Sequence, residues 1–383
     1  MKVLFYKWSV CNEEVVTKSL QNMGINVISY RKKCTNFDID ADIMTEVLFL
    51  CHKEKADCIF TLNYYPLLSN VAQTVGIPYI SWVQDSPLFT LYSPSKNLSC
   101  NFQFVFDKEE VLRLKSAGSE RCFNTTLASD PDIFSTYAQK DSSFSSDVCF
   151  LGNLYNSTDF EQAHFSREYY EGYVDGLINS QKGIYGINFI EPALSEELAN
   201  EILIASQNAI PSTYSIPPNY AAAYVLERKV TGLERIMFLK SIGENYKLTI
   251  YTTSKPEPDI RASYKEYADY SIIMPKVFFN AKINLHFSPR SIHSGVSLRV
   301  FDVLSCRGFL MTTWQPEIIE LFNDGEDLVV FDSKQDMLEK INYYLLHDKE
   351  RESIAQSGYE KIRSLYSNKT ILSNMFNKAG LVF

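Results

Sequence analysis

The sequence predicts an α/β protein built as two doubly wound domains in tandem. Three observations predict it. Short apolar runs alternate with helix-spaced stretches through the first third of the chain; the alternation pauses at a Ser/Asp-rich stretch and then restarts. The length, 383 residues, exceeds what a single hydrophobic core normally organises. Strand followed by helix at this pitch favours a parallel sheet. In such sheets ligands collect beyond the carboxyl ends of the strands, so those loops are where chemistry is sought.

Taken in order, "KVLFYK" (2–7) reads as the first strand and "EEVVTKSLQNMG" (13–24) as a helix stopped by Gly24. "NVISYR" (26–31), "DCIFTLN" (57–63), "IPYISWVQDSP" (77–87) and "FQFVFD" (102–107) supply further apolar runs of strand length. Helix-spaced apolar residues occupy 41–55, 66–76 and 108–118 between them. The first domain is expected over 1–140, closing near "LASDPDIF", with "KDSSFSSD" (140–147) as the linker.

A second domain, expected over 145–365, restarts the pattern with "VCFLGNLY" (148–155). A helical insertion of about 158–242 interrupts it. "YKLTIYTT" (246–253), "KINLHF" (282–287), "GFLMTT" (308–313) and "DLVVF" (327–331) then resume the strands. The remainder is helical, and 366–383 is expected to be a C-terminal helix packing back on the first domain.

Composition narrows the function. The formal net charge of -9 argues against a dedicated nucleic-acid binder, which needs a basic face to neutralise phosphates. No apolar run approaches the roughly 20 residues that span a bilayer. Eight scattered cysteines form no C-x-x-C pair, which suits buried thiols in a reducing compartment. A cytoplasmic protein without a membrane span is expected; the pattern leaves the oligomeric state open.

The motifs of the commonest hydrolases, proteases, NTPases and NAD enzymes are missing: no G-x-S-x-G, H-E-x-x-H, Walker A or G-x-G-x-x-G occurs. The strongest remaining segment is "LHFSPRSIHSGVSLRVFDVLSCRGFLMTT" (285–313), a strand, a polar loop, a short helix and a strand. A helix start offers unpaired N–H groups and partial positive charge, which suit a phosphate. Gly295 would let a ligand approach closely, and Arg290 and Arg299 can pair with a diphosphate. Asp302, two turns into the helix, can accept two hydroxyl hydrogen bonds, as a ribose would offer. Taken singly, each has an ordinary reading as a turn glycine or a surface charge; their joint placement points to a site.

This segment resembles the nucleotide-sugar segment of GT-B glycosyltransferases, particularly the CgeB-like (spore maturation) branch. Those enzymes carry a G-[VI]-P-x-R-x-[FE]-[ED]-x-x-[AG] helix followed by G-G-F-L-L-T. The likeness continues through "ELFNDGEDLVVFDSKQDMLEKINYYLLHDKERESIAQSGYEKI" (320–362) and back through "MPKVFFNAKINLHFSPRSIHSG" (274–295). "IPYISWVQDSP" resembles the family's N-terminal domain more loosely. The resemblance implies two Rossmann-like domains facing a central cleft and a transfer from a nucleotide-diphosphate sugar, of UDP type, to a protein or glycan acceptor. It places the donor on the second domain and the acceptor on the first. By resemblance, Asp302 stands where related enzymes hold the ribose. Arg290, Ser291 and the backbone of Gly295, Val296 and Ser297 would cradle the diphosphate. The related Glu-x7-Glu pattern would put its first acid at Ser294, which this sequence lacks. A catalytically silent, glycan- or partner-binding protein is therefore the alternative. Arg307 replaces the first glycine of G-G-F-L.

Several further residues are candidates. Lys282 would add positive potential, His293 could touch phosphate or acceptor, and Gly152 and Asn153 close the first strand of the second domain. Asp85 in "WVQDSP" is a general base if the reaction inverts, or else the residue that caps the next helix or fixes the turn before Pro87. No resident metal or cofactor is expected: GT-B enzymes stabilise the departing diphosphate with side chains and a helix N-terminus. The "DPD" at 130–132 fits a metal pattern by letters, but Pro131 makes it a turn.

Overall fold

The computed structural model describes residues 1–8, 10–156, 165, 167–207, 210–266 and 268–382. The chain forms two compact units. Unit 1 comprises Met1–Ile133, Pro211–Ser215 and Leu365–Phe383, and unit 2 comprises Phe134–Ile210 and Ile216–Ser364.

Unit 1 runs through β1 (Lys2–Lys7), α1 (Glu13–Asn22), β2 (Asn26–Arg31), α2 (Ala41–Glu54) and β3 (Cys58–Leu62). It continues with α3 (Pro66–Val75), β4 (Tyr79–Trp82), β5 (Asn101–Val105), α4 (Lys108–Ser116), β6 (Cys122–Asn124) and the start of α5 (Pro131–Ser135). Local chemistry sets the boundaries. Asp40 accepts a hydrogen bond from the Ile43 amide to open α2, and Asp107 accepts from Glu109 and Glu110 to open α4. Pro66 starts α3, and Gly76 ends it with φ +79°. All strand pairs are parallel, in the order β2-β1-β3-β4-β5-β6.

Unit 2 contains β7 (Ser146–Leu151), α6 (Glu168–Gln181), α7 (Glu196–Ala205), α8 (Pro218–Asn245), β8 (Leu248–Tyr251) and β9 (Ser263–Lys265). It then adds α9 (Ile273–Asn280), β10 (Ala281–His286), α10 (Leu298–Ser305), β11 (Leu310–Thr313) and α11 (Pro316–Leu321). β12 (Val329–Phe331), α12 (Lys334–Leu346) and α13 (Asp348–Leu365) complete it. Its strands are also all parallel, ordered β12-β11-β10-β7-β8-β9. Numbered from β7, that is the doubly wound order 6-5-4-1-2-3, whose direction reverses between β10 and β7.

The last helix, α14 (Asn368–Lys378), belongs to unit 1. Phe376 stacks on Phe60 with ring centroids 6.1 Å apart, and the Asn368 amide donates to Ser19 Oγ at 3.0 Å. The stretch expected to be a linker is instead built into unit 2. The Asn280 side chain accepts from the Asp141 amide at 2.8 Å, and β7 begins at Ser146. Two strands, β6 and β9, have no counterpart in the sequence pattern. Each is three residues at a sheet edge, too short for a period-2 pattern to show. The opening of the expected insertion (158–164 and 166) lies outside the described residues.

α8 carries the insertion and the sheet together. Its first half shares a small core with α6 and α7, including Val174, Ile178, Leu198, Ile202 and Leu226. Its second half lays Phe238, Leu239 and Ile242 on the sheet, where Phe238 stacks on Phe287 at 5.3 Å. Between them Gly232 lets the helix pass the segment after β7: a Cβ there would sit 2.3 Å from the Tyr155 carbonyl oxygen. Gly232→Ala is expected to lower stability by about 1–3 kcal/mol, because a rigid backbone atom rather than a side-chain tip must yield. Chemical denaturation checks this; an unchanged midpoint would contradict the close approach.

Candidate functional site

In unit 2 strand order reverses between β7 and β10, and the carboxyl ends of the strands at such a reversal are where doubly wound sheets take ligands. The loop 288–297 leaves β10 there and feeds α10, a helix with a strongly apolar inner face (Val300, Phe301, Val303 and Leu304 are buried). The loop is itself largely buried: Ser291, Ser294, Gly295, Val296 and Ser297 are all enclosed. Ser297 precedes the helix without capping it through its side chain. Its hydroxyl lies 2.6 Å from Nε2 of His286, the last residue of β10. Burial, then the charges of Arg235 and Arg299, hold the His286 pKa well below the usual range, so the imidazole stays neutral.

Carboxylates clamp this loop from two sides. On one side α8 presents Glu227, Thr231 and Glu234, all buried, along one stripe. Glu234 takes Arg290 in a bidentate pair, with Nε to Oε2 at 2.8 Å and Nη2 to Oε1 at 2.5 Å. Thr231 Oγ1 accepts from the Arg290 amide at 2.9 Å, and Glu227 Oε1 lies 3.0 Å from Nε2 of His293. On the other side the Gln315 amide donates to the Ile292 carbonyl at 3.0 Å. Ser294 Oγ donates to Glu317 Oε1 at 2.7 Å, while the Glu317 amide donates back to the Ser294 carbonyl at 3.1 Å. The acid missing from the sequence at Ser294 is thus met in space by a buried glutamate 23 residues on.

These contacts revise several expectations. The Arg290 side chain is committed to Glu234 and lies over the Tyr185 ring at 4.1 Å, so it is not held out for a ligand. Arg299 pairs with Asp302 at 3.1 Å. Asp302 is 1% exposed and also accepts from the Tyr270 hydroxyl at 2.6 Å, so its carboxylate is enclosed rather than displayed. His293 is drawn to Glu227. Lys282 does not join the group. It is the second residue of β10, at the opposite end from the loop, where it pairs with Asp147 at 2.7 Å. Gly152 and Asn153 follow β7 directly, at the carboxyl end of that strand. Arg307 keeps a glycine-like left-handed backbone (φ +55°) and stacks on Tyr359 at 4.4 Å. Asp130 of the "DPD" accepts from Ser19 Oγ at 2.6 Å and from the Ile133 amide at 3.0 Å, opening α5.

A further residue at this switch point has no signal of its own in the sequence. Arg235, on α8, is 5% exposed. Its Nη1 donates to the Asn153 carbonyl at 2.5 Å and Nη2 to the Phe287 carbonyl at 2.7 Å, bridging the segments that follow β7 and β10. The Tyr155 ring lies 4.9 Å away. Nothing in "GLERIMFLK" separates this arginine from an ordinary helix cation. The adjacent acidic spacing of Glu227 and Glu234 was the available signal, and it reads equally well as solvent-facing charge.

Unit 1 reverses strand order between β1 and β3, and Asp85 lies near that point, after β4. Asn63, just past β3 with φ +67°, holds it. The Asn63 side-chain amide donates to Asp85 Oδ2 at 2.7 Å, while Asn63 Oδ1 accepts from the Gln84 and Asp85 backbone amides at 2.8 and 3.2 Å. The turn is therefore fastened by Asn63, and the Asp85 carboxylate is carried rather than used for it. Asp85 reaches solvent, yet enough protein surrounds the carboxylate for burial to raise its pKa; the Asn63 hydrogen bond opposes this only in part. Tyr65 stands nearby in an edge-packed group with Trp8 and Phe37, at 6.5 and 5.8 Å between ring centroids.

Comparisons with known proteins agree with this architecture. Residues 233–377 match the glycosyl transferase-like family model. No curated protein matches the chain by sequence. Among solved structures, Anabaena Alr3699/HepE in complex with UDP-glucose is similar over 99% of both chains, at 10% identity and a TM-score of 0.54. Sucrose-phosphate synthase from Thermosynechococcus elongatus matches over 99% of this chain and 98% of its own, at 10% identity and 0.54. A glycosyltransferase from Rickettsia africae matches over 99% and 97%, at 9% identity and 0.53. The fold is GT-B. Among the described residues no helix is long and apolar enough to cross a membrane.

Proposed function

We propose that this protein is a glycosyltransferase moving a sugar from a nucleotide-diphosphate sugar to an acceptor hydroxyl. One observation carries the reading: a buried, carboxylate-clamped loop delivers α10 to the switch point of a doubly wound sheet, inside the segment that matches the glycosyl transferase-like family. A loop fixed before ligand arrives loses little entropy on binding and keeps its donors aimed. A UDP-sugar is the favoured donor, since the similar HepE structure holds UDP-glucose.

In direct displacement the acceptor oxygen bonds to the anomeric carbon as the carbon–oxygen bond to the diphosphate breaks. The diphosphate leaves with that electron pair, and Asp85 takes the acceptor proton. Its raised pKa suits a base, and Asn63 fixes its orientation. The acceptor is a protein or glycan hydroxyl on unit 1, and the charge on the leaving group is met by protein rather than by a metal ion. The silent alternative rested on Ser294; the Glu317 carboxylate against Ser294 Oγ favours the enzyme.

Thermal melting with UDP, GDP, TDP and their sugars tests the donor. UDP at about 100 times Kd is expected to raise Tm by roughly 5 °C. Hydrolysis of the stabilising sugar nucleotide should then persist in EDTA. No shift from any nucleotide would overturn the reading, and a strict metal requirement would overturn the metal-free scheme.

A further inference from the structure

We infer that Arg235, rather than Arg290 or Arg299, is the cation that binds the donor diphosphate, at the switch point between β7 and β10. The inference rests on the donor reading above and concerns which residue carries it out. Three arginines stand around the loop, and two have carboxylates of their own: Arg290 has Glu234, and Arg299 has Asp302. Arg235 has none among the described residues. Its neighbour in sequence, Glu234, is spent on Arg290 and on the Gly183 amide at 2.7 Å. Both polar partners of Arg235 are neutral carbonyls, and its buried Nε has no hydrogen-bond partner among the described residues.

A buried guanidinium without a counter-ion and with an idle donor is costly, and proteins seldom keep one without use. Burial pushes its pKa down to about 10, which still leaves it charged at neutral pH. The position explains the use. The two carbonyls it bridges belong to the segments that leave the strands flanking the reversal, so the charge lies where a doubly wound sheet receives phosphate. The carbonyls and the Tyr155 ring fix the plane of the guanidinium, so little freedom is lost when a diphosphate arrives. The neighbouring His286, held neutral by burial, adds no positive charge of its own, and Arg299 is the cation that acts on Arg235.

The test uses the full chain with UDP, uridine and inorganic pyrophosphate as probes, read by calorimetry or thermal melting. Arg235→Met is expected to weaken UDP and pyrophosphate by on the order of 100-fold while uridine binds as before. Arg235→Lys keeps the charge but cannot bridge both carbonyls, and should fall between. Arg299→Met should retain most of the preference for UDP over uridine. Unchanged UDP and pyrophosphate affinity in Arg235→Met would overturn the inference. If that variant fails to fold, wild-type affinity in Arg235→Lys together with lost preference in Arg299→Met would overturn it equally. A wild-type protein that binds no nucleotide or sugar nucleotide would instead sink the donor reading itself.

Discussion

Asp85→Asn is expected to slow sugar transfer by about 10²–10⁴-fold while leaving UDP affinity and folding intact. The asparagine can still accept the Asn63 hydrogen bond through its oxygen, so the turn is preserved and only the proton acceptor is lost. The sign of the stability effect follows from the raised pKa. A carboxyl whose folded pKa lies above its unfolded value is destabilising in its charged form, at pH above both values, and that penalty vanishes as pH falls through the folded pKa. Removing the charge should therefore leave Tm at neutral pH unchanged or slightly higher. For the wild type, kcat/KM should decline as pH falls through a value above the ordinary aspartate range, and the variant should lack that limb. Near-normal transfer by Asp85→Asn would remove it as the base.

Glu234→Ala is expected to cost about 3–5 kcal/mol of stability, measured by urea or thermal unfolding. The pair it breaks is largely buried, with side chains 5% and 12% exposed, and bidentate, so the variant would strand the Arg290 charge without its carboxylate. Adding Arg290→Met should recover much of the loss, since an apolar chain of similar length replaces the unpaired cation. A single-variant loss under 1 kcal/mol would show the pair behaves as a surface ion pair.

Much of the fold was legible because periodicity is local. "KVLFYK", "NVISYR" and "KINLHF" carry enough consecutive apolar residues to declare strands, and the alternation with helices implies parallel pairing without any knowledge of strand order. The loop 288–297 was legible for the same reason: polar residues between a strand and an apolar helix stand out along the chain. The edge strands β6 and β9 were not, being three residues each.

The roles of the charges divided differently. The sequence by itself determined the two doubly wound domains, the loop before α10 as the place to look, and Asp85 at the end of a strand. Only the tertiary structure decided which charges are already spent. Arg290 meets Glu234 across 56 residues, and Ser294 meets Glu317 across 23. Arg235 differs from them only in what does not face it. Periodicity reports which face a residue shares with its near neighbours; whether a buried charge has a counter-ion depends on which distant segments pack beside it, and no local pattern contains that.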